Sequence, residues 1–91
     1  MTHQIVLPAQ IDRGTAASLA PEIAHALSAG GLELDGREVR RAGQCALQML
    51  LSARKTAGEW GVALLIRPSE SLRDAARLAG LEDRLFEEAV A

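Results

Sequence analysis

The chain has 91 residues, of which 48% are hydrophobic and 24% are charged, and its net charge is −2. This composition is typical of a globular protein, and the length predicts one domain over residues 1–91 with little room for a deep substrate cleft. The chain is weakly acidic and has only two aromatic residues, Trp60 and Phe86. We therefore expect no nucleic-acid partner, because such binding needs basic surfaces and stacking rings.

Cysteine, histidine and hydropathy patterns exclude several further classes of protein. Cys45 is the only cysteine, so an internal disulfide and a cysteine-based zinc cluster are both excluded. His3 and His25 lie far apart and have no carboxylate at ligand spacing, so we expect no metal and no cofactor. The first four residues do not resemble a signal peptide, and the apolar runs are too short to span a membrane. We expect a cytoplasmic protein without direct membrane insertion.

The first third of the chain predicts a strand followed by a helix. Residues 5–7 form a β-rich run that ends at a proline, and Ile11 begins a second short extended piece. Residues 15–29 are rich in alanine, which favours a helix. Pro21 fits that helix only if Ser18 caps it, because a proline in the first turn costs no hydrogen bond.

The middle third predicts a second strand and a second helix. Residues 32–34 alternate in polarity, as a strand does, and residues 35–36 are typical of a turn. The next helix is expected over about residues 44–56, with Gly58 ending it. Its apolar stripe is wide enough to pack against a sheet. The stripe consists of Ala46, Leu50, Ala53 and Ala57, flanked by Leu47 and Leu51.

The last third predicts one more strand and two helices. Residues 62–66 are a continuous apolar run, typical of a central strand covered on both faces. Ser71 and Asp74 resemble a capping box for a third helix that Gly80 ends, and a final helix is expected over about residues 82–90. Strands that alternate with helices indicate an α/β layered domain. We expect a small, mostly parallel or mixed sheet of three to four strands with about four helices.

The segment of residues 40–51 is the most unusual part of the chain. It joins the end of a strand to a turn at Gly43 and to the start of the second helix at Gln44 and Cys45. A helix N-terminus exposes free backbone N–H groups and a partial positive charge. The sequence contains no evident pairing of a nucleophile with a base, no paired carboxylates and no metal cluster. We therefore expect a binding surface here, with no catalytic residues.

Several short motifs follow one another along the chain in a characteristic order. An early strand and helix lead to the Leu-Glu-Leu-Asp-Gly strand of residues 32–36. An apolar strand that starts at Val62 is followed by Pro-Ser at residues 68–69, and a Leu-Ala-Gly-Leu motif at residues 78–81 precedes Leu-Phe at residues 85–86. This order of motifs resembles the STAS domain, the fold of bacterial anti-sigma factor antagonists. The resemblance covers most of the chain and implies the STAS fold.

The chain departs from the family at the turn where STAS proteins are phosphorylated. The family pattern Asp-Ser/Thr-Ser/Ala-Gly-Leu falls on residues 43–47, here Gly-Gln-Cys-Ala-Leu. The two hydroxyl positions hold Gln44 and Cys45, and no Ser or Thr occurs between Gly36 and Met49 in either plausible alignment. The resemblance therefore implies a binding surface without its phosphorylation switch. The segment of residues 43–53, Gly-Gln-Cys-Ala-Leu-Gln-Met-Leu-Leu-Ser-Ala, is also similar to a segment of short STAS proteins that are encoded with chemotaxis genes in proteobacteria.

We predict that a protein partner binds the turn and the adjoining face of the second helix. Met is common at adaptable binding surfaces. The alternative is that Cys45 and Met49 are partly buried by a neighbouring loop or helix. Basic residues flank this surface and would steer an acidic partner; they are Arg37, Arg40, Arg41, Arg54 and Lys55. The predicted partner-binding residues are Arg41, Gly43, Gln44, Cys45, Gln48, Met49 and Ser52.

The leading interpretation is a non-enzymatic STAS module that binds a signalling kinase, either a chemotaxis histidine kinase or an anti-sigma-factor kinase. One alternative is the STAS subunit of an ABC-type lipid transporter, although those relatives usually keep a Thr at the turn. Another is a thiol-based sensor, because a helix N-terminus can activate a cysteine such as Cys45. A homodimer, and phosphorylation of a nearby residue such as Ser52, both remain open.

Overall fold

The computed structural model describes residues 3–86, which form an α/β arrangement. Within that range it has five strands and four helices, in an order close to the predicted one. The strands are β1 (His3–Val6), β2 (Gln10–Ile11), β3 (Leu32–Gly36), β4 (Arg41–Ala42) and β5 (Leu64–Pro68). The helices are α1 (Arg13–Ser28), α2 (Gln44–Trp60), α3 (Glu70–Leu78) and α4 (Glu82–Phe86). The last four residues of the predicted helix over residues 82–90 lie outside the described range.

The strands form two small parallel sheets. The larger has the order β1-β3-β5, and its register aligns Ile5 with Leu34 and Leu34 with Ile66. The smaller pairs β2 with β4, so that Gln10 lies opposite Arg41. The predicted fold class is confirmed: a small, mostly parallel sheet arrangement accompanied by helices. The two-residue strand β4 was not predicted, because so short a segment has no periodicity to detect.

The core lies on one side of the larger sheet. Leu34 and Ile66 are buried in one cluster with Leu27 of α1 and Leu50 of α2. Burial of such apolar side chains is the main stabilising contribution to a fold of this size. None of the helices within residues 3–86 is long and apolar enough to cross a membrane.

The opposite side of the sheet is polar. Glu33 accepts hydrogen bonds there from Gln4 of β1 at 2.9 Å and from Arg67 of β5 at 2.7 Å. The prediction of a central strand covered on both faces is wrong for β5. This strand lies at the edge of the sheet. It starts and ends two residues later than predicted, and its last part includes the exposed Arg67.

Helix α1 begins earlier than predicted. Asp12 caps it, and its carboxylate accepts a hydrogen bond from the Thr15 N–H at 2.8 Å. This hydrogen bond holds the pKa of Asp12 below its ordinary value. Ser18 is therefore not the cap, and Pro21 lies inside the helix. A proline there removes one helical hydrogen bond, a cost that the burial of Ile23 and its neighbours on the apolar stripe offsets.

Two other predicted helix ends are also wrong. Helix α2 continues through Gly58 and ends at Gly61, which adopts the left-handed conformation with φ of 65°. A glycine is favoured there because a Cβ strains that conformation. Helix α3 is capped by Ser69 and not by Ser71.

Gly36, at the end of β3, permits close packing between the sheet and α3. A Cβ at this position would lie 3.0 Å from the Arg67 carbonyl oxygen and 3.0 Å from Cδ2 of Leu72. The motif residue Gly36 therefore has a packing role, because only a residue without a side chain allows this approach.

Candidate functional site

The segment that leads to α2 is held by backbone hydrogen bonds. The Val39 N–H donates to the Gly36 carbonyl at 3.1 Å and closes a turn, and the Val39 side chain is buried. The N–H groups of Arg40 and Arg41 both donate to the Ala9 carbonyl, at 2.7 and 3.0 Å. The chain therefore enters α2 from a backbone that is fixed against β2.

The first turn of α2 is open. Gly43 is its N-cap in an extended conformation and supplies no side-chain hydrogen bond, and the first turn contains no acidic residue. No atom lies within 4 Å of the place where a Cβ on Gly43 would stand. The first backbone N–H groups of a helix have no partner inside the helix. This end of α2 consequently offers donors, and a partial positive charge, at an unobstructed surface.

Most of the predicted partner-binding residues are exposed together. Gln44, Gln48 and Ser52 recur every four residues of α2, so they lie along one side of the helix, and each is exposed. Arg41 and Gly43 precede them and are also exposed, whereas Cys45 is half-buried. We call this set of six residues the α2-start surface.

The expectation that Met49 is exposed is wrong. Its side chain is only 7% exposed and lies in the core cluster, where it lines a cavity of about 60 Å³ together with Ile23 and Leu27 of α1. The alternative of burial by a neighbouring helix holds for Met49, and that helix is α1. Because α1 packs against a second side of α2, the buried stripe of α2 is wider than a single apolar face.

Arg54 is a second correction, because it does not flank the surface as free charge. Its Nε donates to the Leu85 carbonyl at 2.8 Å, and its Nη1 donates to the Leu64 carbonyl at 2.6 Å. The side chain therefore joins α2 to the start of β5 and to α4. Its sequence neighbours gave no signal of this role, since the acceptors lie 10 and 31 residues away along the chain.

Arg37 is exposed, but Asp35 binds it. Its Nε and Nη2 donate to the two carboxylate oxygens of Asp35, each at 2.9 Å, and its N–H donates to Oδ1 at 3.1 Å. These bonds, first those of the guanidinium and then that of the backbone, lower the pKa of Asp35 from 3.8 to about 2. The pair stabilises the turn that follows β3.

Ser69 is a residue of this region that the sequence analysis missed. Its hydroxyl accepts a hydrogen bond from the Leu72 N–H at 3.0 Å and donates one to the Val39 carbonyl at 2.6 Å. It therefore caps α3 and ties that helix to the segment leading into α2. A serine directly after the end of a strand is a common helix cap, and this signal favoured Ser69 over Ser71.

Within residues 3–86, no group of three or more His, Cys, Asp or Glu side chains is arranged to hold a metal ion. The exposed polar groups of the α2-start surface are two amides, the Arg41 guanidinium, the Ser52 hydroxyl and the backbone donors of the helix start. Its geometry suits contact with another macromolecule.

Comparisons with known proteins give a consistent family assignment. No curated protein matches the sequence significantly. A solved structure, that of the anti-sigma factor antagonist SpoIIAA in its unphosphorylated form, is similar with a TM-score of 0.75 at 15% sequence identity. The similarity covers 98% of this chain and 80% of that one, and at such low identity it shows a shared fold. A family model described as Mlab, STAS domain, matches residues 2–87. The chain belongs to the STAS domain family.

Proposed function

We propose that this protein is a non-enzymatic STAS interaction module that binds a signalling kinase through the α2-start surface. The observation that carries the proposal is the exposure of Gln44, Gln48 and Ser52 in one row beside a backbone segment held by hydrogen bonds. A surface that is already ordered before binding loses less conformational entropy when a partner docks.

In this proposal the phosphorylation switch of the family turn is absent. The positions of the family hydroxyls hold Gln44 and Cys45, and residues 37–51 contain neither Ser nor Thr. Ser52 is exposed two helical turns further along α2, at the far end of the same surface. Regulation of the complex would accordingly come from the partner, because the α2 N-terminus itself cannot receive a phosphate on a hydroxyl.

The partner we propose is a kinase of a chemotaxis or anti-sigma system, in keeping with the motifs of residues 43–53. The likeness to SpoIIAA supports the same kind of partner. A second candidate is the ATPase subunit of a lipid transporter. The matched family model is named for Mlab and not for an anti-sigma factor antagonist, so partners other than kinases belong in the test.

The substitution Gln48→Glu tests the surface. Gln48 is exposed in the middle of the row, so a glutamate there adds a negative charge to the interface without entering the core. We expect capture of the partner to fall by about tenfold or more, because an unpaired charge inside an interface is costly. The measurement is affinity capture from a native extract, with mass spectrometry and quantitative binding to the purified partner.

The matched control is Gly58→Glu, which introduces the same side chain at the other end of α2. Gly58 is exposed, and no atom lies within 4 Å of the place where its Cβ would stand. This variant should bind like the wild type. The Gln48 variant should unfold near the wild-type temperature and the Gly58 variant somewhat above it, because a glycine inside a helix is replaced by a better helix former. Equal binding by all three proteins would disprove the surface assignment. Capture of a transporter ATPase in place of a kinase would select the second candidate.

A further inference from the structure

We propose that the partner contacts the α2-start surface with an acidic protein segment, and that Arg40 and Arg41 bind the carboxylates of this segment. The inference rests on the proposed function and specifies the chemistry of the partner. Carboxylates are the usual ion-pair partners of arginine side chains at protein interfaces.

The structure leaves Arg40 and Arg41 as the basic pair beside the start of α2. Lys55 is also exposed, but it lies beyond Ser52, at the far end of the surface. The guanidinium of Arg37 is bound to Asp35, and that of Arg54 donates to backbone carbonyls inside the fold. Arg40 and Arg41 are both exposed. Neither has a carboxylate within 4.0 Å among residues 3–86, so the charge of each is available to another molecule.

The neighbouring elements within residues 3–86 supply no ion-pair partner for these arginines. Asp12 follows the strand that pairs with β4, and its carboxylate accepts the Thr15 N–H and forms no ion pair with either arginine. The first turn of α2 has no acidic residue. Glu38 precedes the pair in sequence, and Glu70 begins α3, which packs against β4; both are exposed and neither forms an ion pair with either arginine. Two arginines without an ion-pair partner thus precede Gly43 on a chain with a net charge of −2.

The backbone of the pair is also fixed. Both N–H groups donate to the carbonyl of Ala9, which holds the two residues against β2 next to Gly43. A side chain that starts from a fixed backbone has less conformational entropy to lose on binding. The overall acidic balance disfavours nucleic acid and anionic membrane surfaces, which are bound by broader basic areas. An acidic segment of a protein fits a patch of two charges.

Hexaglutamate is a suitable probe, and NMR of the backbone amides locates its binding. At about 0.02 M salt we expect the largest chemical-shift changes at residues 40–45, and at about 0.3 M salt these changes should nearly vanish, because screening weakens exposed ion pairs. The affinity of the double variant R40E/R41E for the peptide should be lower by at least about tenfold.

The matched control is R77E/R84E, which changes the net charge by the same amount at two exposed residues of α3 and α4 that do not flank the surface. It should keep the localised shifts. Shifts spread over the whole surface, or equal loss in both double variants, would overturn the inference. The same shifts with inorganic phosphate would also overturn it, since the patch would then be a general anion site. These results do not depend on Gln48, so the inference and the proposed function can fail separately.

Discussion

Helices α2 and α3 both begin near the carboxyl ends of parallel strands, yet their first turns are built differently. Ser69 caps α3, and the same hydroxyl donates to the Val39 carbonyl. Gly43 starts α2 without any side-chain cap, and its surroundings are open. One helix start therefore contributes to holding the tertiary structure together, whereas the other keeps its hydrogen-bond donors at the surface.

The difference shows how stability and binding are divided between neighbouring sites. A capped helix start contributes on the order of 1 kcal/mol to folding. A glycine at the cap position stabilises the fold by a few tenths of a kcal/mol less, and it leaves the N–H groups accessible. The α2-start surface lies at the less stabilised end, and the tied segment beside it keeps it in position.

The largest change in stability is expected when the cap of α3 is removed. Ser69→Ala removes the α3 cap and leaves the Val39 carbonyl without its donor, so we expect the free energy of unfolding to fall by about 2 kcal/mol. In a domain of this size that corresponds to a melting temperature lower by roughly 10 °C. Denaturant titration and thermal unfolding measure both quantities.

Ser71→Ala is the control for this change, because Ser71 is exposed inside α3 and caps nothing. Its free energy of unfolding should stay within about 0.5 kcal/mol of the wild type. If the two variants were equally stable, the special role of Ser69 would be refuted.

A smaller effect is expected when the open start is given a cap. Gly43→Asp places a carboxylate at the N-cap, where a Cβ meets no other atom, and should raise the free energy of unfolding by about 0.5 kcal/mol. The same carboxylate covers the free N–H groups, so partner capture should weaken. Gly43→Ala is the control, because it adds a Cβ but no hydrogen-bond acceptor. It should be slightly less stable than the wild type, so a gain seen only with Asp would come from capping.

A last effect concerns the turn that follows β3, and it appears only at low pH. Because the folded state lowers the pKa of Asp35 to about 2, its contribution to stability is complete above pH about 4 and is lost as the pH falls towards about 2. The wild type should therefore lose stability more steeply over that interval than Asp35→Asn does. Parallel pH profiles of unfolding for the two proteins would contradict the role of the bond between Asp35 and Arg37.

The sequence predicted the fold well because its motifs occur in a characteristic order. The Leu-Glu-Leu-Asp-Gly strand at residues 32–36, the alanine-rich helices and the final Leu-Phe pair were sufficient to indicate a STAS-like arrangement, which the structure and the family comparison confirm. The helix ends were predicted less well. Several serines and glycines compete as caps, and tertiary contacts such as the bond between Ser69 and Val39 select one of them.

The structure agrees with the predicted exposure of most side chains at the candidate site and disagrees where a second neighbour packs against α2, whereas partner binding by them stays a prediction. Gln44 and Gln48 are exposed as expected. The sequence placed Met49 beside them because a helical wheel describes one packing face, whereas α2 packs against both the sheet and α1. Arg54 was misplaced for a related reason, since its hydrogen-bond acceptors are distant carbonyls that no local pattern reveals.

The sequence by itself determined the family, the order of the elements and the absence of Ser and Thr from the turn that opens α2. These properties depend on residue identity and local order along the chain. Only the tertiary structure decided which side chains around that turn face outward and which of its arginines are available. Burial and ion pairing depend on residues distant in sequence, as the bonds of Arg54 and the position of Met49 show.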